Sequence, residues 1–167
     1  DEYLRTMLSE AERLSRLVDN VLAFSRKGSA KAVDAMEPLD LAALARETAA
    51  QLEPHLTRSG FALHVDAPDA LRVRGNDEAL RQVLMNLLSN AEKYSGEAKE
   101  IGVTVRLENG ECVACVLDRG IGVEPGNAGR IFDEFYRCDD SLASSRSGTG
   151  LGLSIARDIA RRHGGDV

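Results

Sequence analysis

Two segments in which apolar and polar residues alternate, 101–107 and 112–118, flank a short polar turn that contains Asn109 and Gly110. Asn-Gly between alternating segments is the strongest local indication of a β-hairpin, so these residues predict two antiparallel strands. Helical periodicity and shorter strand patterns surround them, with helices at 41–57, 78–94 and 151–163 and strands at 37–40, 61–65 and 71–73. Asp40 is a candidate N-cap for the first of these helices, and Asn76 or Asp77 for the second. This order predicts an α+β fold, with helices against one face of a mixed, mainly antiparallel sheet.

The composition excludes several functional classes. The formal net charge of −6 argues against a nucleic-acid-binding protein, because no basic excess is available to displace counterions. No run approaches the roughly 18 apolar residues of a membrane span, and no signal-peptide pattern opens the sequence. With 43% hydrophobic and 29% charged residues, the 167-residue chain is typical of one globular domain plus an appendage.

The appendage is the N-terminal segment. Residues 1–27 have apolar positions every three or four residues and charged residues on the other side, which predicts one long amphipathic helix. Such a helix cannot bury its apolar stripe alone. Two interpretations stay open: the helix folds onto its own domain, or it is one arm of a helical bundle. Residues 28–36 are small and polar and indicate a linker, after which the main domain covers 37–167.

Three cysteines make an odd count. Cys112 and Cys115 have the spacing of some metal sites, but they lie in a predicted strand, where residues three apart point to opposite faces. No second Cys/His pair is near them, and Cys138 is separate. Buried free thiols in a reducing compartment are therefore favoured over a zinc site.

The helix predicted at 78–94 carries unusual polar residues. At about 100° per residue, Asn86, Asn90 and Lys93 share one narrow stripe at the border of the apolar face. Amide oxygens suit Mg²⁺ as ligands and an ammonium group suits phosphate. Asn is also unfavourable inside a helix, so two of them need an explanation. The alternative is a solvated polar stripe without a ligand.

Two glycine-rich segments follow. Asp118 ends the second hairpin strand and precedes Gly120 and Gly122; a carboxylate there can accept from the amine of adenine, although a simple strand-ending turn has the same composition. Residues 148–154 (GTGLGLS) open the last helix, where free N–H groups attract phosphate. They match neither a Walker A loop nor the dinucleotide fingerprint.

An apolar group interrupts the polar loop between them. Ile131, Phe132, Phe135 and Tyr136 lie within about thirty otherwise polar residues. Loops of this length inside a compact domain are usually functional or disordered. The aromatic residues favour a functional lid that packs on another part of the protein.

In this order, the four segments resemble the N, G1, F and G2 boxes of sensor histidine kinases, which have the ATP-binding Bergerat fold. Residues 86–94 (NLLSNAEKY) resemble the N box, 118–122 (DRGIG) the G1 box, 131–137 (IFDEFYR) the F box and 148–153 (GTGLGL) the G2 box. The resemblance covers about 37–167. It implies a two-layer α/β sandwich, preceded by the second helix of the dimerisation and phosphoacceptor hairpin at 1–27.

The resemblance also implies roles for individual residues. Asn90 would ligate Mg²⁺ with help from Asn86, and Lys93 would reach the phosphates of ATP. Asp118 would bind the adenine amine. The remaining implied nucleotide contacts are Tyr94, Gly120, Gly122, Arg137, Arg146, Gly148, Thr149, Gly150, Leu151 and Gly152. The implied activity is transfer of the γ-phosphoryl group of ATP to a histidine, chiefly by positioning and charge neutralisation.

This sequence departs from the family pattern at both ends. The first hairpin helix, which would carry the phosphoacceptor histidine, is absent, and His55, His64 and His163 lack the acidic residue that typically follows it. The family continues beyond Val167 into further strands, so both ends are expected to be truncated. The resemblance implies a cytoplasmic location, either as a cytoplasmic protein or as the cytoplasmic part of a membrane-anchored sensor. It also implies homodimerisation of the full-length protein and relay of the phosphoryl group to a response regulator.

Two other functional classes stay open. The chain could be a non-catalytic nucleotide-binding or interaction module, although all four boxes are intact. It could also be a related Bergerat-fold ATPase or serine kinase. Those hydrolases typically carry Glu where this chain has Asn86, and without that carboxylate no base is positioned to activate water.

Overall fold

A computed structural model describes Met7, residues 36–138 and residues 149–167. Apart from Met7, the predicted helix at 1–27 lies outside the described residues, and so does the linker at 28–36 except for Met36. The strands are β1 (Glu37–Asp40), β2 (Ala62–Asp66), β3 (Arg72–Gly75), β4 (Glu100–Glu108) and β5 (Glu111–Asp118). The helices are α1 (Leu41–Arg58), α2 (Asp77–Tyr94) and α3 (Gly152–Arg162), with a short 3-10 helix at Arg130–Phe132.

The strands pair in the mixed, mainly antiparallel manner that the sequence predicts. Strand β4 lies between β2, which is parallel to it, and β5, which is antiparallel. Strands β1 and β3 are antiparallel and pair with each other, so the described strands form two sheets where the sequence predicted one. Asn109 and Gly110 both have positive φ, at 51° and 86°, which confirms the predicted hairpin turn between β4 and β5.

Side chains at the predicted caps fix the starts of two helices. Asp40 Oδ1 accepts hydrogen bonds from the backbone N–H groups of Ala42 and Ala43 at the start of α1. It also accepts one from Leu71 N, just before β3, over 2.9 Å. Asn76 Oδ1 caps α2 by accepting from Ala79 N over 2.7 Å. Both caps were predicted, and the Leu71 bond additionally ties the start of α1 to the small sheet.

The core lies between the helices and the inner face of the three-stranded sheet. Leu44 and Leu56 of α1 pack with Leu88 of α2 against Ile101 and Val103 of β4, and all five side chains are almost completely buried. This packing uses the apolar stripe of α2 and leaves the neighbouring polar stripe outside the core. None of the helices within the described ranges is long and apolar enough to cross a membrane.

The cysteines differ in part from the prediction. All three are free thiols, as expected, but Cys112 and Cys115 are only partly buried and Cys138 is exposed. The expectation of buried thiols is wrong because β5 lies at the edge of its sheet among the described strands and is covered incompletely. In the described part of the chain, no group of three or more His, Cys, Asp or Glu side chains that could hold a metal ion occurs.

Candidate nucleotide-binding site

The polar stripe of α2 forms one wall of the candidate site. Asn86, Asn90 and Lys93 are partly buried, whereas Leu88 and Ala91 on the adjacent face are buried in the core. The Asn90 carboxamide makes no hydrogen bond to any residue that the structure describes. The Lys93 ammonium lies 4.8 Å from the centre of the Tyr94 ring, at the last turn of the helix. The stripe therefore presents an amide and a cation side by side.

Asn86 connects this wall to the start of α3. Its Nδ2 atom donates a hydrogen bond to the backbone carbonyl of Gly152 over 3.1 Å. Since the donor end of the amide is engaged, its Oδ1 atom is left as an acceptor. The N-box and G2-box segments, separated by more than sixty residues, are thus in direct contact.

The G1 segment lies against the C-terminal end of α2. Ile121 N donates to the carbonyl of Tyr94 over 3.2 Å, and Ser95 and Gly120 form an isolated antiparallel bridge. A Cβ atom on Gly120 would lie 2.1 Å from the Tyr94 carbonyl oxygen, so only glycine fits at this position. The close backbone approach brings Asp118 to the end of the polar stripe.

Asp118 keeps one carboxylate oxygen available for a ligand. Its side chain is exposed, and Oδ1 accepts from the backbone N–H of Gly120 over 2.8 Å. Arg119 points to Glu100, with 3.1 Å between guanidinium and carboxylate. The turn therefore orients the Asp118 carboxylate through its own backbone, and the second oxygen can accept from an amine.

The F segment contacts the G2 segment through backbone atoms. Phe135 N donates to the carbonyl of Gly150 over 3.1 Å. A Cβ atom on Gly150 would lie 2.7 Å from the carbonyl carbon of Phe135, so the two chains touch without an intervening side chain. Phe135 has a φ of 63° and is 63% exposed, an unusual backbone conformation for a bulky residue and a feature of functional segments.

Two contacts between an arginine side chain and an aromatic ring, which the sequence did not predict, also hold the F segment. The Arg157 guanidinium of α3 lies 4.5 Å from the centre of the Phe132 ring, and Arg130 lies 4.3 Å from that of Tyr136. Arg157 also forms a bidentate ion pair with Asp166, over 2.7 and 3.0 Å, which lowers the pKa of the Asp166 carboxyl. No local pattern could predict the Phe132–Arg157 contact, because it depends on the tertiary packing of α3.

The sequence predicted free backbone N–H groups at the start of α3, and the structure shows that not all of them are free. Thr149 Oγ1 accepts from Leu151 N over 3.3 Å, so one of these N–H groups is already engaged. Leu151, another predicted nucleotide contact, is 2% exposed and packs in the interior, and its carbonyl accepts a hydrogen bond from Ser154 Oγ. Gly148 and Arg146, two other predicted contacts, lie outside the described residues. Arg137 is partly buried and Gly122 is exposed.

The three histidines occupy separate places. His55 Nε2 lies 2.7 Å from Glu92 Oε1 and joins α1 to α2, whereas His64 is exposed on β2. His163 lies at the end of α3 and contacts Asn76. None of them lies in the four boxes.

The family is shown by comparison with known proteins. A family model described as histidine kinase-, DNA gyrase B- and HSP90-like ATPase matches residues 75–167, more than half of the chain. The chain belongs to this ATPase family. The match includes α2, the G1 and F segments and α3, which are the parts that the structure brings together.

The curated proteins that are similar to this chain form a narrower group than the ATPase family as a whole. It is 30% identical over 165 residues to the sensor-like histidine kinase SenX3 of Mycobacterium tuberculosis, a match that covers 99% of this chain and 40% of the relative. It is 35% identical over 167 residues to the probable sensor protein PcoS of Escherichia coli, covering 99% and 35%. The chain therefore spans well under half the length of these relatives.

Solved structures agree with the sequence relatives. Full-length ShkA in complex with AMPPNP is 29% identical, with a TM-score of 0.78, over 98% of this chain and 34% of that one. The mycobacterial sensor histidine kinase MprB is 26% identical, with a TM-score of 0.65, over 77% and 80%. The chain is an ATP-binding catalytic domain of the sensor histidine kinase type, as the four boxes predicted, and the α+β fold class is confirmed.

Proposed function

We propose that this chain is the catalytic portion of a sensor histidine kinase and transfers the γ-phosphoryl group of ATP to a histidine on a helix upstream of residue 1. The observation that carries the proposal is the set of contacts among the four boxes. Asn86 binds the Gly152 carbonyl, Ile121 binds the Tyr94 carbonyl, and Phe135 binds the Gly150 carbonyl. These contacts arrange an acid, two carboxamides and an ammonium group around one side of α2.

The residues of this wall fit a magnesium ion. The Asn90 carboxamide has no partner within the described ranges, and the Asn86 amide keeps its oxygen free while its nitrogen is bound to Gly152. Both are hard oxygen donors of the kind that Mg²⁺ accepts, in a number that leaves room for phosphate oxygens and water. We assign Asn90 as the main protein ligand with Asn86 assisting; the bound ion would neutralise charge on the phosphates.

The other predicted residues bind and orient ATP. The free oxygen of Asp118 accepts a hydrogen bond from the exocyclic amine of adenine, and the tight turn at Gly120 holds that carboxylate in place. Lys93 moves from the face of Tyr94 to the phosphates, and Tyr94 packs beside the nucleotide. The segment from Gly148 to Gly152, with Arg137 and Arg146, closes over the triphosphate. The γ-phosphorus then bonds to an imidazole nitrogen as its bond to the oxygen of ADP breaks.

Residues 1–27 supply the connection to the phosphoacceptor. We propose that they form the second helix of the dimerisation and phosphoacceptor hairpin, followed by the linker at 28–36. Support comes from the relatives, whose alignments extend over 98–99% of the chain and therefore include this segment. The proposed partners are the upstream helix, a second copy in the full-length protein and a response regulator receiver domain, in the cytoplasm.

Phosphate incorporation tests the proposed reaction. The chain is incubated with γ-labelled ATP and Mg²⁺, first alone and then with the segment encoded upstream of residue 1. The expected result is no stable label on the chain alone and acid-labile label on the added helix. Strong labelling of His55, His64 or His163 in the chain alone would contradict the assignment of the acceptor.

Nucleotide titration of an Asp118→Asn variant separates a kinase site from a non-catalytic module. The variant keeps an oxygen for the Gly120 N–H but loses the charged acceptor for the amine. We expect ATP to bind about 10-fold or more weakly, since a hydrogen bond to a charged group contributes about 1.5–3 kcal/mol. Asp69→Asn, an exposed site outside the boxes, serves as the matched control. Unmeasurable ATP binding by the parent chain would favour the interaction module.

A further inference from the structure

His163, the residue that follows α3, makes two hydrogen bonds that fix its chemical state. Its Nε2 atom lies 3.0 Å from the backbone nitrogen of Asn76, and its Nδ1 atom lies 2.8 Å from the carbonyl of Ile159. The Asn76 N–H group can only donate, so Nε2 must be the acceptor and carry no proton. The Nδ1 atom then carries a proton that is directed to the carbonyl of Ile159.

The ring is also fixed by packing. A Cβ atom on Gly75 would lie 2.9 Å from His163 Cδ2 and 2.8 Å from Leu80 Cδ1, so the imidazole lies directly on the glycine backbone. Gly75 ends β3 and is buried, and Asn76 caps α2. The end of α3 is consequently held against the junction between the small sheet and the asparagine-bearing helix.

A second contact joins the middle of α2 to the start of α3. Asn86 of α2 meets Gly152, the first residue of α3, and Asn76 at the start of α2 meets His163 after the end of α3. The helices are therefore antiparallel, and the two contacts are separated by about 15 Å along α2. Leu151, the N-cap residue of α3, forms no side-chain capping hydrogen bond.

We propose that His163 is a positioning residue for the nucleotide site. Its bond to Asn76 sets the placement of α3 along α2, and this placement brings the Gly152 carbonyl to Asn86 and the 150–152 segment to the phosphates. His163 acts through α3 and contacts no nucleotide itself. The inference rests on the proposed function of the site, because its effect on binding presupposes that ATP occupies the space beside Asn86.

The test compares ATP affinity in matched variants of the chain. His163→Leu removes the acceptor, and His163→Gln keeps an acceptor oxygen that can reach the Asn76 N–H. His64→Leu makes the same chemical change at an exposed histidine on β2, away from α3. The dissociation constant for ATP with Mg²⁺ is measured well below each thermal transition, so that every variant is fully folded.

We expect His163→Leu to weaken ATP binding about 3- to 10-fold, the ratio that corresponds to the loss of one hydrogen bond. His163→Gln should remain within about twofold of the parent, and His64→Leu should equal it. Equal affinity of His163→Leu and the parent would overturn the proposal. The proposal would also be overturned if His163→Gln bound ATP as weakly as His163→Leu, because the hydrogen-bond acceptor for the Asn76 N–H would then have no effect on ATP affinity.

Gly75→Ala provides a second variant if His163→Leu does not fold. The added methyl group must displace the imidazole ring, so the ATP affinity should fall as in His163→Leu, and unchanged affinity would contradict the proposal.

Amide hydrogen exchange at Ile155, whose N–H bonds to Leu151 in the first turn of α3, gives a readout that needs no nucleotide. Faster exchange there supports positioning, whereas faster exchange only near His163 refutes it. Absence of ATP binding by the parent would count against the proposed function alone.

Discussion

The two glycine-containing segments that contact α2 do so in different ways. The G1 segment approaches by backbone, and a Cβ atom on Gly120 would lie only 2.1 Å from the Tyr94 carbonyl oxygen. The G2 segment is contacted by a side chain of α2, since Asn86 donates a hydrogen bond to the Gly152 carbonyl. A Cβ atom on Gly152 would lie 3.8 Å from Asn86, an ordinary contact distance. Where they contact α2, the glycine of the proposed base side is therefore fixed by steric fit, whereas the glycine of the proposed phosphate side is held by a hydrogen bond.

The difference matches what we propose that each side binds. A planar base needs one fixed acceptor, and Asp118 is oriented by the turn whose geometry Gly120 permits. A triphosphate with its metal ion has to enter and leave, and the hydrogen bonds that hold the G2 segment at Asn86 and Phe135 can be exchanged for contacts with the proposed ligand. Segments that move on binding are drawn from the less stable parts of a fold.

The largest expected effect is that of Gly120→Ala. The added methyl group collides with backbone atoms of Tyr94, which cannot rotate away as a side chain would. We expect a loss of about 2–3 kcal/mol in the free energy of unfolding, the usual cost of overpacking, measured by urea denaturation. Gly126→Ala is the matched control, because a methyl group there meets no atom within 4 Å. Equal stability of both variants would remove the steric basis of the comparison.

A smaller effect is expected from Asp40, in a region away from the nucleotide. The Leu71 N–H, followed by those of Ala43 and Ala42, donates to this carboxylate and lowers its pKa below the ordinary value of 3.8. Because the folded-state pKa is lowered, the stabilisation is present above pH 3.8 and is lost as the pH falls through the folded-state value.

The measurement is a pH series of thermal unfolding for the parent and Asp40→Asn. The amide of Asn keeps the acceptor oxygen but does not titrate. The variant should therefore have a lower Tm than the parent at neutral pH, and the difference in Tm should become smaller below pH 4. A difference in Tm that stays constant across the pH series would show that the charge of Asp40 contributes nothing to stability. ATP affinity at neutral pH should be the same in both proteins.

The smallest effect is expected from Gly152→Ala. Alanine at the first residue of α3 meets Asn86 at a normal contact distance and restricts the unfolded chain, so stability should be unchanged or rise by up to about 1 kcal/mol. The sign is opposite to that for Gly120→Ala. Destabilisation by more than about 1 kcal/mol would show that the G2 segment is as tightly fitted as the G1 segment.

The features predicted best from the sequence are those with local causes. The β4–β5 hairpin follows from Asn109-Gly110 between alternating strands, and the starts of α1 and α2 follow from Asp40 and Asn76 as caps. The four boxes and their order were also visible. Each of these depends on residues within a few positions of one another, which is what a sequence pattern can record.

The features that were missed depend on residues far apart in the chain. The stacking of Arg157 on Phe132 and the bond between His163 and Asn76 exist because α3 packs beside α2 and the F segment. The division of the strands into two sheets depends on which strands meet in the folded protein, and the partial exposure of Cys112 and Cys115 follows from the edge position of β5. Periodicity identifies a strand or helix but not its neighbours.

The most direct test of the central claim is amide chemical-shift mapping of the isotope-labelled chain during titration with a non-hydrolysable ATP analogue and Mg²⁺. We predict that the amide signals of Asn90, Gly120, Phe135 and Gly152, from four separate segments, all shift and report one common dissociation constant. Shifts confined to one segment, or different constants for different segments, would contradict a single nucleotide site built from all four.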